Sequence, residues 1–357
     1  MHEQSAANAA PDESAISAFR ETLRGALMRP GDADYDAERG LWNGMIDRRP
    51  AFIVRCQGAA DVIASVNFAR AHGLLVAVRG GGHGVAGHAV CDSGMMIDLS
   101  GMRAVRVDPI ARRAWVQGGA TWGDVDHETT AFGLATPGGL ISTTCVGGLT
   151  LSGGVGWLRG TAGLCVDNVM SADVVTADGR WLHASEVENA DLYWAIRGGG
   201  GNFGIVVCFE FRLQPIEPTL MFCAPVYPES RAAELLPLWR DYMLNAPKQV
   251  SGLAEFSTIP DDPEYPEHVR GVRVLALAAV YDGPAEKGEA VVAPLRSMER
   301  RCWILAARCH TVLSNRCTIP FSRRAEIAAI SGRCSCPPWT RGSSNRSCLG
   351  SRNARPR

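Results

Sequence analysis

The sequence predicts an α+β fold, and three observations lead to that prediction. Residues 51–79 read as a βαβ unit, with two apolar strands around a helix that Gly73 ends. Two hairpins follow, one turning at Asp108 and the other at Gly179, where glycine supplies the positive φ of a tight turn. Beyond Pro215, alternating strands are interleaved with amphipathic helices.

Local sequence features predict where the helices and strands of the first half begin and end. Val62, Val66 and Ala69 give the first helix one apolar stripe, and Thr121 caps the second helix, which Gly133 ends. In chain order, the predicted elements are strand 51–56, helix 61–72, strands 74–78, 95–99, 105–107 and 113–116, helix 121–132, strands 174–176 and 181–183, helix 191–196 and strand 205–213.

A second domain is predicted after residue 217, with strands 220–226, 250–259 and 272–280 and helices 230–244 and 284–295. We expect its mixed sheet to be cut off at Met298, because no comparable order of strands and helices follows. The expected organisation is a helical lead-in, a first α+β domain, a partial second domain and a basic Cys- and Arg-rich tail, with boundaries 1–45, 46–217, 218–298 and 299–357.

The tail differs chemically from the rest of the 357-residue chain. Residues 302–357 hold ten arginines, no lysine and one acidic residue, a formal charge of +9. Residues 1–301 hold 26 basic and 36 acidic residues, a formal charge of −10. Arginine, serine, proline and glycine leave little to bury, so we expect the tail to be disordered. A change of reading frame near residues 297–302 is our hypothesis for the abrupt switch.

Metal and nucleic-acid binding explain the tail less well, and we expect neither. Its cysteines lack the paired spacing of zinc sites, and its arginines lack helical spacing and interleaved aromatic residues. The cysteines between Cys56 and Cys223 are scattered singly, as buried free thiols often are. No segment approaches the length of a transmembrane helix, so we expect a cytoplasmic protein that does not engage a membrane.

A glycine-rich loop follows strand 74–78 and carries His83 at its tip. Residues 79–84 read Arg-Gly-Gly-Gly-His-Gly. Glycines let backbone N–H groups converge on an anion in conformations closed to other residues. The imidazole would then lie within reach of whatever the anion carries. A tight turn with a solvated or hydrogen-bonded histidine is the alternative.

The same loop fits the G-x-G-x-x-G pattern of a Rossmann nucleotide site through Gly82, Gly84 and Gly87. Such a site requires a long helix that starts on the loop. Residues 85–94 are too short for that helix and run into another strand, and the pattern recurs at residues 199–204. We therefore reject a Rossmann site.

Five segments together resemble one family, the flavoprotein oxidases with the vanillyl-alcohol-oxidase-type (PCMH-type) FAD domain, and especially its berberine-bridge-enzyme-like branch. They occur in the family's order within roughly residues 40–216, and they are residues 42–47, 79–83, 144–156, 163–168 and 191–204. The resemblance implies an FAD-binding domain of two α+β subdomains, with the FAD pyrophosphate over the glycine-rich loop. In the family, the histidine at the His83 position bonds covalently to the 8α-methyl of the flavin, and a neutral imidazole is a competent nucleophile.

The resemblance also implies the other cofactor contacts. Besides His83, the expected FAD-binding residues are Arg79, Gly80, Gly81, Gly82, Gly84, His88, Ser142, Thr143, Gly147, Gly148, Gly153, Gly154, Asn202, Gly204 and Val206.

A second flavin link, from a cysteine, is common in the branch, but its position falls on Ile141 here. We therefore expect one covalent link, through His83, and a buried thiol at Cys145. The family takes its catalytic base from the later half of the substrate domain, and nothing after Met298 resembles that part. The catalytic residues are therefore unknown.

The implied function is that of an FAD-dependent oxidoreductase. A small-molecule alcohol, saccharide or amine would give a hydride to flavin N5, and molecular oxygen would reoxidise the flavin to yield hydrogen peroxide. One alternative is a catalytically defective flavin-binding remnant that lacks the base and a complete substrate lid. Another is a nucleic-acid binder with a basic tail, which salt-dependent retention on DNA would reveal.

Overall fold

The computed structural model describes residues 11–263 and 267–298, together with the backbone of residues 303–310. The helices in this part of the chain are α1 (Glu13–Thr22), α2 (Tyr35–Glu38), α3 (Ala59–Ala71), α4 (Trp122–Thr130), α5 (Val146–Leu151), α6 (Arg159–Ala162), α7 (Ala190–Ile196), α8 (Ala232–Asn245) and α9 (Ala285–Ser297). The strands are β1 (Ala26–Met28), β2 (Phe52–Arg55), β3 (Val76–Arg79), β4 (Met95–Asp98), β5 (Val105–Asp108), β6 (Arg113–Gln117), β7 (Leu134–Ala135), β8 (Val169–Val175), β9 (Trp181–Ser185), β10 (Ile205–Arg212), β11 (Gln214–Pro215), β12 (Thr219–Pro228), β13 (Val250–Thr258), β14 (Arg273–Tyr281) and β15 (Trp303–His310).

The first sheet has the strand order β1-β2-β4-β3, in which β2, β4 and β3 run parallel. Helix α3 connects β2 to β3, as the βαβ prediction requires, and β4 inserts between them. Phe19 of α1 and Val66 of α3 belong to the same buried cluster as Val54 of β2. The N-terminal lead-in is not purely helical as expected, because β1 pairs with β2. A strand of three residues is too short to show alternation in the sequence.

The second sheet is antiparallel, with the order β5-β6-β10-β8-β9. Both predicted hairpins are present, as the pairs β5–β6 and β8–β9. Trp122 of α4 packs edge-on against Phe211 of β10 in the core of this sheet. Thr121 and Asp124 form a capping box at the start of α4, which confirms the predicted cap. Strands β7 and β11 form a separate antiparallel pair, which joins the segment after α4 to the segment after β10.

The third sheet has the order β13-β14-β12-β15 and is antiparallel throughout. Helices α8 and α9 cover one face, where Leu235 and Val292 are buried. The other face carries Phe222 and Ala278, which pack in one cluster with Trp157 from the segment after α5. This face is therefore turned toward the first half of the chain.

Strand β15 corrects the expectation that this sheet ends at Met298. Its backbone pairs with β12 from Trp303 opposite Val226 to His310 opposite Thr219. Residues 303–307 are five consecutive apolar residues, and the arginine-rich composition around them hid this short strand signal. The expected disorder and the zinc and nucleic-acid alternatives for the rest of the tail lie outside the described residues. Among the helices of the described part, none has the length and hydropathy that a membrane span requires.

Candidate functional site

Arg79 ends β3, and acidic groups bind its guanidinium. Nη2 of Arg79 lies 2.8 Å from Oδ2 of Asp98 and 2.7 Å from Oε2 of Glu38, and Nη1 donates to the carbonyl of Glu38. Asp98 is fully buried, so the ion pair is shielded from water. The side chain of Arg79 therefore holds β3, β4 and α2 together. Two carboxylates thus neutralise the charge of Arg79, and its carbonyl accepts a bond from the N–H of Leu99, so its contact with FAD stays a prediction.

Gly80 and Gly81 lie against the thiol of Cys145. A Cβ at Gly80 would sit 2.7 Å from Sγ of Cys145, and a Cβ at Gly81 would sit 2.8 Å from Cβ of Cys145. No other residue type fits at either position without displacing the neighbour. The close approach joins the glycine-rich loop to the start of α5, as the predicted site requires.

Cys145 is a buried thiol, as expected. Its Sγ donates to the carbonyl of Gly118 at 3.1 Å, and burial raises the pKa of the thiol to about 11. A protonated, hydrogen-bonded thiol is a weak nucleophile. These properties support the expectation that Cys145 is not a flavin ligand.

Gly118 and Gly119, which were not among the predicted site residues, allow a further close approach of backbone segments below the glycine-rich loop. A Cβ at Gly118 would lie 2.2 Å from the carbonyl oxygen of Val206, and a Cβ at Gly119 would lie 1.7 Å from that of Leu99. Their side-chain-free backbone lets β6, β10 and the end of β4 meet beneath the loop. The sequence signal was two consecutive glycines directly after β6.

His83 lies half-buried beside two groups from other segments. Its Nε2 is 3.2 Å from Oγ1 of Thr143, 60 residues away in the chain. The indole of Trp42 stacks on the imidazole, with ring centroids 6.0 Å apart and planes at 17°. Burial lowers the pKa of His83 below its usual value, which favours the neutral imidazole at neutral pH. A neutral ring nitrogen is the form that can act as a nucleophile.

Residues 42 and 43 also fix the loop. The N–H of Trp42 donates to the carbonyl of Gly82 at 3.1 Å, and Nδ2 of Asn43 donates to that of Val85 at 2.8 Å. The side chain of Trp42 is 65% exposed, an unusual position for a tryptophan in a chain with this much core. Trp42 is thus a candidate site residue that was noted in the sequence only as part of the family resemblance.

The backbone of the loop has free donors. Within the described ranges, the N–H groups of residues 80–84 donate no hydrogen bond. Gly81 and Gly84 are exposed, and neither the loop 80–84 nor the segment 142–148 contains a charged side chain. Unpaired N–H groups with no carboxylate among them suit a bound diphosphate. The residues present therefore fit the cofactor that the resemblance implies.

The glycines around α5 differ in their surroundings. A Cβ at Gly147 would lie 2.8 Å from the carbonyl oxygen of Gly118, whereas Gly148 is exposed and faces open space. Gly153 and Gly154 have φ of +102° and +78°, conformations that favour glycine. In the same region, the carbonyl of Ser142 accepts a bond from the N–H of Gly123 at 2.8 Å, so this carbonyl is already engaged within the chain.

The remaining predicted cofactor residues differ in their exposure. Asn202 is exposed on a 3-10 turn, Gly200–Phe203, that packs beside α5. Gly204 follows with φ of +148°. Val206 is buried in the core of the second sheet, so its side chain cannot contact a cofactor, and only its backbone near Gly118 remains available. His88 lies in an exposed turn after the loop, and no contact joins it to His83 in the described part of the chain.

Comparisons with known proteins identify an FAD-binding domain in this chain. Residues 50–185 match the family model of an FAD binding domain. An FAD-linked oxidoreductase of Dictyostelium discoideum is 33% identical over 285 residues, covering 79% of this chain and 59% of that protein. The crystal structure of 6-hydroxy-D-nicotine oxidase from Arthrobacter nicotinovorans is similar with a TM-score of 0.74 and 30% identity, covering 83% of this chain and 65% of that one. Xylooligosaccharide oxidase from Myceliophthora thermophila C1 is similar with a TM-score of 0.70 and 25% identity, covering 84% and 62%.

The α+β sheets, the side-chain-free loop and the matched domain define an FAD-binding flavoprotein. The chain carries an FAD-binding domain and is similar to FAD-linked oxidoreductases in sequence, and its fold is that of berberine-bridge-enzyme-like structures. The predicted fold class is thereby confirmed, and the matches agree with the predicted family resemblance. The chain spans roughly three fifths of the length of the relatives named above.

Proposed function

We propose that this chain binds FAD covalently through His83 alone and oxidises a small-molecule alcohol, saccharide or amine. The observation that carries the proposal is the half-buried His83, with its lowered pKa, on a loop of five free backbone donors. Bound FAD would supply the redox chemistry: the substrate would lose two electrons and two protons, and molecular oxygen would take up both to become hydrogen peroxide.

The chain's own residues would bind and orient the cofactor. The N–H groups of residues 80–84 would hold the diphosphate, and the glycines at 147–148 and 153–154 would leave room for its approach. Oγ1 of Thr143 bonds Nε2 of His83, which holds the imidazole in one orientation. The indole of Trp42 stacks on the same imidazole.

We expect a single covalent link, because neither Ile141 nor Cys145 suits a second link to the flavin. Ile141 has no nucleophilic atom. Cys145 is buried, and its Sγ is engaged with the carbonyl of Gly118. With neither side chain able to attack, the imidazole of His83 is the remaining candidate nucleophile in this part of the site.

Acid precipitation of the purified chain tests the link. We expect a yellow, fluorescent pellet from the unmodified chain, because covalent flavin stays with denatured protein. The H83A variant should leave its flavin in the supernatant, while H127A, which changes an exposed histidine of α4, should behave like the unmodified chain. A colourless pellet from the unmodified chain contradicts the covalent role of His83.

Oxygen uptake with peroxide detection tests the turnover. Consumption of oxygen on an alcohol, saccharide or amine panel supports an oxidase. Flavin in the pellet without uptake on any panel would instead identify a flavin-binding chain that does not turn over.

A further inference from the structure

Trp42 contacts the imidazole of His83 from a segment that is distant in the chain. The two rings are nearly parallel, at 17°, and their centroids are 6.0 Å apart, within the range in which aromatic rings attract each other. The hydrogen bond with Thr143 holds only one edge of the imidazole, at Nε2. Because a ring held by one hydrogen bond can still tilt about that bond, the indole supplies a second constraint on its orientation.

Backbone contacts fix the position of Trp42 itself. The N–H of Trp42 donates to the carbonyl of Gly82, the residue before His83. The next residue, Asn43, donates from Nδ2 to the carbonyl of Val85, which follows His83 by two positions. These two bonds lie on either side of His83 in the loop, so the indole and the imidazole are carried by segments that are bonded to each other.

The side chain of Trp42 is not needed by the core. It is 65% exposed, and no buried cluster of the described residues includes it. In contrast, the buried Trp122 and Trp157 each pack edge-on against a phenylalanine. The bond from Trp42 to Gly82 uses the backbone and survives a change of side chain. The ring contact with His83 is therefore the role that the structure offers for this indole.

We propose that Trp42 is a positioning residue for covalent attachment, acting through His83 by holding its imidazole in the reactive orientation. The proposal rests on the link proposed above and adds a residue that sets its rate. Attachment replaces one hydrogen on a ring nitrogen of His83 and one on the 8α-carbon of FAD by a bond between these atoms. The two electrons and two protons released pass to molecular oxygen, which becomes hydrogen peroxide. A nucleophile that is already oriented loses less freedom on the way to the transition state and reacts faster.

Time courses of attachment in the full chain, produced without flavin, test the proposal. FAD is added over a range of concentrations, and the flavin fluorescence of the denatured protein reports the linked fraction. W42L keeps an apolar side chain without an aromatic face. Its limiting rate at saturating FAD should fall at least about tenfold, because the imidazole is no longer held in place, while the FAD concentration that gives half the limiting rate stays unchanged. W42F, which restores an aromatic ring, should recover most of the rate.

W181L is the matched control, because Trp181 is a half-exposed tryptophan of β9 in the second sheet. It should attach FAD at the unmodified rate. A limiting rate in W42L equal to that of the unmodified chain overturns the proposal. So does a slower W42L whose whole loss is a higher half-saturating FAD concentration, because Trp42 would then bind the cofactor itself. If W42F is as slow as W42L, the ring contact is not the cause and the proposal fails.

A second measurement reports the contact without flavin. In histidine-labelled chain, the imidazole protons of His83 are identified by their absence in H83Q, and the ring current of the indole shifts their resonances. W42L should move these resonances, and W181L should leave them in place. Unmoved resonances in W42L contradict the stack on which the proposal depends. A W42L chain that has lost its circular dichroism signal also contradicts it, because Trp42 would then be a structural residue.

The unmodified chain keeps the two proposals distinct. If it attaches no FAD, the covalent role of His83 fails, and the positioning role of Trp42 fails with it. If the unmodified chain and W42L attach FAD equally fast, the covalent role of His83 stands and only the positioning role of Trp42 fails.

Discussion

The glycine-rich region around His83 is built mainly from backbone contacts, whereas the third sheet presents side chains. Around His83, contacts are made by the backbone: Gly118 and Gly119 lie against carbonyl oxygens, and the N–H groups of residues 80–84 donate no hydrogen bond within the described residues. The buried charge of Arg79 is paired with Asp98 and Glu38. On the third sheet, the face toward this region carries the apolar side chains of Phe222 and Ala278 and, on β13, the half-buried carboxylate of Glu255.

The difference matches what each region would recognise. A diphosphate is the same in every protein that binds FAD, and backbone donors on a side-chain-free loop suffice to bind it. A substrate differs from enzyme to enzyme, so its recognition depends on individual side chains presented by a regular sheet. The first region should therefore respond to changes of glycine and of buried charge, and the second to changes of single side chains.

The largest effect is expected from breaking the buried ion pair. Arg79→Met should lower the free energy of unfolding by about 3–5 kcal/mol, because the fully buried Asp98 loses its counter-ion and keeps only the hydrogen bonds that Ser100 donates. Arg55→Met, which removes a half-exposed arginine from the same Glu38, should cost less than about 1 kcal/mol. Denaturant titration followed by circular dichroism measures both. Equal costs for the two variants would show that the guanidinium of Arg79 is not needed by the fold and is free for the cofactor.

A smaller effect is expected from the glycine contact with Cys145. Gly80→Ala places a methyl 2.7 Å from Sγ of Cys145 and should cost about 1–3 kcal/mol of unfolding free energy. Adding Cys145→Ala removes the sulfur and leaves a contact of 3.4 Å, so the double variant should recover most of the Gly80→Ala cost. Gly84→Ala, with nothing within 4 Å, should change stability by less than about 0.5 kcal/mol. Additive costs in the double-mutant cycle would show that the thiol does not restrict Gly80.

Local features of the fold were predictable because local chemistry determines them. Thr121 signalled a helix cap, and the glycine at position 179 signalled the β8–β9 hairpin; the structure contains both. Strand β1 and strand β15 escaped prediction for opposite reasons. The first is too short to show a pattern, and the second stands in a composition typical of disorder.

Contacts between residues far apart in the chain could not be predicted from the sequence. The family resemblance assigned Arg79 to the cofactor, but its partners Asp98 and Glu38 lie 19 and 41 residues away. The resemblance also assigned Val206, and only the folded chain shows that its side chain is buried. Glu255 reads in the sequence as an ordinary polar position of a half-exposed strand, and its half-burial is a property of the folded chain alone.

The smallest expected effect concerns the protonation of His83. Its pKa is lowered in the folded chain because burial disfavours the imidazolium, so the unfolded chain binds the proton more readily. Stability therefore falls as the pH drops below the unfolded value of about 6.5 and levels off once the folded imidazole is also protonated. In chain produced without flavin, the unfolding free energy of the unmodified protein relative to H83Q should decrease between about pH 7.5 and about pH 5.5. Parallel curves would show that the loop leaves the imidazole as it is in water, and the argument that burial keeps His83 neutral and ready to attack the flavin would fail.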